Sequence, residues 1–181
     1  MTTLTMAQRR QDFEAVLADA DRVRQAITKF WTREEGTPGK PLARLASDVA
    51  DLCVAWAINA KHAQTHPPSD QVRHLAVVVA ARCLALLGDI HIHVADPVKE
   101  VVDASVDEAL GPLTWREDLH VPAVERIGRL LSYLGDVAEN YDYGTDDGCR
   151  LVIKDVTALL AAKAICAALA AERGLWQEEE S

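Results

Sequence analysis

DQVRHLAVVVAARCLALLGDIHIHVA, residues 70–95, is apolar on nearly every side of a helical wheel. The run is too long for a strand and keeps a helical period, so it is expected to form a helix buried all round at the centre of the fold. Along one stripe it nevertheless carries Arg82, Asp89 and His93, continued by Asp96 just past its end, beside Leu75, Val78 and Leu86. At 100° per residue those four polar side chains fall within roughly 60° of one another. Buried polar groups must pair or face a cleft. The stripe is therefore either an internal network that sets helix register or the wall of a site.

Periodicity extends outward from this helix in both directions. Phe13, Val16, Leu17, Ala20, Val23, Ile27, Phe30 and Trp31 mark one face of a first helix from about Met6 to Arg33. Gly36, Pro38, Gly39 and Pro41 break it, and Pro41 suits the first position of a second helix whose core face is Leu45, Val49, Leu52, Cys53 and Trp56. Pro67 and Pro68 end that helix, and Ser69 or Asp70 caps the third. Asp96-Pro97 starts a fourth that closes at Gly111. A fifth spans about Pro122 to Tyr141 with Val124, Ile127, Leu130, Leu131, Leu134 and Val137 inward, and a sixth runs from about Asp147 to Arg173. No segment alternates as a strand does. The expected fold is an all-α, single-domain bundle of about six helices over residues 1–175, with a disordered acidic tail at 176–181.

Composition agrees and excludes several classes. At 181 residues and 49% apolar content the chain can bury one core, and only 5% aromatics with abundant Ala and Leu favour packed helices over a sandwich. A net charge of −9 repels a phosphate backbone, which disfavours nucleic-acid binding. No signal peptide or membrane span is read, and the expected location is the cytoplasm. Cys53, Cys83 and Cys166 sit at apolar-periodic positions and no C-x-x-C occurs, so reduced buried thiols are expected. The first helix has an apolar face longer than a small bundle needs, and a homodimer through that helix is expected, with a nucleotide or another protein as further partners.

The candidate chemistry lies in acids and a histidine. Asp48-Val49-Ala50-Asp51 on the second helix recurs as Asp136-Val137-Ala138-Glu139 on the fifth, each placing two carboxylates three residues apart on one face. Paired oxygen ligands from two helices chelate Mg²⁺, while the same acids on a helix's outer side form a solvated face. His62 and His66 have the i, i+4 spacing of a zinc pair or of a solvated helix end. His93 lies between Asp89 and Asp96, either of which can orient it, making His93 and Arg82 the catalytic candidates if the stripe is a site.

Ala46-Ser47-Asp48-Val49-Ala50-Asp51-Leu52 and the amphipathic stretch to Lys61 resemble the first metal-binding helix of MazG-like all-α nucleoside triphosphate pyrophosphohydrolases, over about 50 residues. In that family an acid-x-x-acid pair joins a Glu-x-x-Asp pair on the next helix to hold Mg²⁺ at the triphosphate. The resemblance implies Mg²⁺ at Asp48 and Asp51 and a nucleotide substrate. The next helix here brings Asp89 in place of Glu-x-x-Asp, so the remaining ligands would be Asp89, or Asp136 and Glu139. The alternative reading is a non-catalytic helical module for protein interaction or self-assembly.

Overall fold

Punctuation in the sequence decides where each helix starts and stops. The computed structural model describes residues 6–31, 40–62, 70–91, 121–142 and 147–173. They form α1 (Met6–Trp31), α2 (Lys40–His62), α3 (Asp70–His91), α4 (Ala123–Asp142) and α5 (Asp147–Glu172). Pro41 sits in the first turn of α2, where a missing N–H costs no helical bond. Asp70 opens α3 with a carboxylate that complements the positive end of the helix dipole. The Pro122 carbonyl accepts the Arg126 backbone N–H at 2.9 Å and so begins the first turn of α4. Among the described residues there is no strand. The expected fourth helix, the last residues of the expected third, and the acidic tail lie outside them.

Two helices make the centre. From Val79 to Leu87 every α3 side chain is buried except Arg82, and from Ala164 to Ala171 α5 is buried without interruption. These two pack on each other. Burial of α3 was the expectation, but α3 does not hold the centre alone. Alanine explains why: Ala161, Ala164, Ala167, Ala168 and Ala171 give α5 a thin surface, and thin surfaces let helix axes approach closely.

Three amphipathic helices wrap the central pair. Helix α1 lies on both α3 and α5, α2 lies on α3, α4 lies on α5, and α2 touches α4. Phe13, Val16 and Ala20 of α1 are fully buried inside the chain, with Leu17, Val23 and Ile27 packed against the same core. Arg73, in the first turn of α3, bonds Asp19 of α1 at 2.7 Å and Glu172 in the last turn of α5, while Arg173 bonds Asp12 of α1. These ion pairs tie three helices at one end of the bundle.

Helix α4 corrects part of the expected core. Its inner stripe is Arg126, Leu130 and Val137, with Ile127 and Leu134 partly buried beside them. Val124 and Leu131, both expected inward, are exposed, Val124 by 83%. On the wheel they stand roughly 100° to 120° from Leu130, so a stripe centred on Leu130 turns both outward. Cys53, Cys83 and Cys166 are buried free thiols, as expected. No described helix is long and apolar enough to cross a membrane.

Candidate functional site

The buried stripe of α3 finds its counter-charge on another helix. Arg82 interrupts an apolar run, and its Nε donates to Asp48 Oδ2 of α2 at 2.8 Å, with the two side chains 17% and 20% exposed. The expectation paired Arg82 with Asp89 and His93 along its own helix. Asp89 lies on α3, but its side chain and the whole of His93 fall outside the described residues, as do the side chain of His62 and the whole of His66.

The two acidic pairs divide in the same way. In each, the first acid is half-buried and the second exposed: Asp48 and Asp51 on α2, Asp136 and Glu139 on α4. Asn140 Nδ2 donates to the Asp136 backbone carbonyl at 2.7 Å, closing a local contact on α4. Among the described residues no three His, Cys, Asp or Glu side chains are grouped so as to hold a metal ion. No three of Asp48, Asp51, Asp136 and Glu139 are gathered into such a group. A carboxylate already hydrogen-bonded to a guanidinium is also a poorer cation ligand, since the charge that would attract the cation is neutralised.

Asp51 opens onto a different feature. It lines an open groove of about 390 Å³ between α2 and α3, with Val54, Ala55 and Ile58 from α2 and Gln71 and Leu75 from α3. Val54 is 59% exposed and Ile58 55%. Both lie off the core face Leu45, Val49, Leu52, Trp56, so the outer side of α2 is apolar where a solvated helix face would be polar. The signal was in the sequence: Val54 and Ile58 share a stripe with Asp51, not with the buried residues.

A second feature escaped the sequence reading. Arg126 is buried at the junction of α2 and α4, its guanidinium carbon 4.8 Å from the centroid of the buried Trp56 ring. Guanidinium is weakly hydrated and stacks on aromatic faces, so it tolerates this place better than an ammonium would. Its position four residues before Leu130, on the inner stripe, was the available clue.

Thiol and guanidinium electrostatics follow from burial. Burial pushes the Cys83 thiol far above its ordinary range, and the Asp48 charge pushes it further. Burial also raises Cys53. Arg73 is raised by its hydrogen bonds to Asp19 and Glu172. Cys53 and Cys83 are thus held protonated, as small apolar groups rather than nucleophiles. Comparison of the chain with protein-family models, curated proteins and solved structures finds no match.

Proposed function

We propose that this chain is a non-catalytic helical module that acts by assembly, with the outer face of α2 as its docking surface. The exposure of Val54 and Ile58 beside the α2–α3 groove carries the reading. Single exposed aliphatics are ordinary, but two on one groove with a polar rim of Asp51 and Gln71 form the pattern of an interaction site. Each is already partly covered, so burying what remains would contribute roughly 0.9 to 1.7 kcal/mol. The hold of Arg82 on Asp48 supports the same reading, because the guanidinium already offsets the charge with which Asp48 would attract a cation.

The Mg²⁺-dependent nucleotide hydrolase implied by the Asp48–Asp51 resemblance is the competing proposal. Phosphate and pyrophosphate release from the common nucleoside triphosphates, with and without Mg²⁺, separates the two. The module reading expects no turnover above background and no change in Tm with Mg²⁺ and nucleotide. Mg²⁺-dependent release that is lost in Asp51→Asn overturns it.

A further inference from the structure

We propose that the outer face of α4 docks a basic amphipathic helix of another protein. This surface is on a different helix from the α2 groove, and its occupancy does not depend on that groove.

Val124, Gly128, Leu131 and Gly135 fall within roughly 60° of one another on the α4 wheel, so they form one outward stripe about 16 Å long. All four are exposed, Val124 by 83% and Leu131 by 48%. A Cβ built on either glycine meets nothing within 4 Å, so each leaves an open notch, one on either side of Leu131. Glycine inside a helix is unfavourable relative to alanine, and what it gives in return is close approach of a neighbouring group. Val124 and Leu131 are knobs and the glycines are holes. They fit a helix whose own apolar side chains recur about every seven residues.

Charge selects the partner. Glu139, Glu125 and Asp136 stand along one flank of the stripe, between roughly 60° and 120° from Val124. Glu125 is paired with Arg129 at 2.6 Å. Asp136 and Glu139 take part in none of the ion pairs among the described residues, in contrast to Asp48, which Arg82 holds at 2.8 Å. The other flank is apolar: Ile127 and Leu134 pack partly against the core, and Ala138 is half-buried. The face is therefore apolar with two uncompensated negative charges along one edge. That edge repels an anionic membrane or a nucleic acid, and an antiparallel twofold pair of α4 helices would set it against its own copy. A helix with aliphatic side chains on one side and Lys or Arg beside them meets both the stripe and the edge.

Fluorescence anisotropy of a labelled helical peptide of leucine and lysine, with its leucines on one face, tests this on the full chain. A peptide of the same composition in scrambled order is the control. The amphipathic peptide should bind in the micromolar range, as suits so short a stripe, and the scrambled one about tenfold more weakly. Glu139→Lys should weaken binding by about tenfold. Glu14→Lys makes the same change of net charge at an exposed site on α1, which packs on α3 and α5, and should leave binding within about twofold. Gly128→Ala with Gly135→Ala fills both notches and should weaken binding by about tenfold, while Tm stays level or rises. Equal affinity for the two peptides overturns the proposal, as does a loss in Glu14→Lys as large as in Glu139→Lys, or a glycine variant that binds like the wild type. Sedimentation that shows the chain alone already paired, and the pair dissolved in the glycine variant, also overturns it and assigns α4 to a second copy.

Discussion

Removing the Asp48 carboxylate should cost an intermediate amount, and the structure sets how much. A fully buried ion pair that loses one partner costs about 3 to 5 kcal/mol, and an exposed pair about 0 to 1. Arg82 and Asp48 are each about one-fifth exposed, and their contact is a short charge-assisted hydrogen bond. Such bonds contribute about 1.5 to 3 kcal/mol, reduced here by the water that still reaches both groups. Arg82 also keeps other contacts, so it is not stranded when Asp48 goes. Asp48→Ala should therefore destabilise the fold by about 1 to 2 kcal/mol. Arg82→Met removes the same bond while keeping the stem that packs between buried neighbours, and should cost a similar amount. Urea denaturation followed by far-UV circular dichroism gives the single and double variants on one scale. The coupling energy of the cycle should be about 1 kcal/mol. Additivity within about 0.3 kcal/mol would show that the pair does not hold α2 to α3, and the account of the stripe would fail.

Other outcomes follow from the same packing. Thr157 Oγ1 is fully buried with no hydrogen-bond partner among the described residues, so Thr157→Val should raise stability by about 0.5 to 1.5 kcal/mol; a lower Tm contradicts this. In a Cys149→Ser background the remaining thiols should resist a soluble thiol reagent in native buffer and react fully in denaturant. The raised pKa values of Cys53 and Cys83 also fix a pH dependence: below about pH 9 both folded and unfolded thiols are protonated, and above it only the unfolded ones ionise. Stability should then fall with rising pH, by up to about 1.4 kcal/mol per pH unit for each thiol, and Cys83→Ala should make the fall shallower. An alkaline slope unchanged in that variant would contradict the burial of Cys83. Arg73→Ala breaks bonds to both Asp19 and Glu172, but these groups are about one-third exposed and solvent screens them; the loss should be about 1 kcal/mol, seen first as faster amide exchange in α1. Exchange unchanged in α1 would remove that staple from the account.

Helix positions were legible because the residues that start and stop them act locally. Pro41, Asp70 and Pro122 work within one turn, and the observed ends fall within two residues of the expected ones wherever both are described. The partner of Arg82 on α2 was not legible. Sequence spacing offers partners on the same helix, and Asp89 is seven residues away, about 10 Å along the axis. Asp48 becomes the neighbour only when α2 packs on α3, a tertiary fact. The recurrence of Asp48-Val-Ala-Asp51 in Asp136-Val-Ala-Glu139 was visible, and so was the choice between a solvated and a ligating face. The half-buried first acid in each pair depends on how far each helix rolls against its neighbour. Val124 and Leu131 went astray for the same reason: Arg126 takes an inward place on α4 by stacking on Trp56, a contact between helices that periodicity does not contain.

Calorimetry of the purified chain with nucleoside triphosphates and Mg²⁺ tests the central claim most directly, because a module that acts by docking has no use for either. The account predicts no heat of binding, no turnover, and the same Tm with and without both ligands. Saturable, Mg²⁺-dependent nucleotide binding that is lost in Asp51→Asn would contradict it.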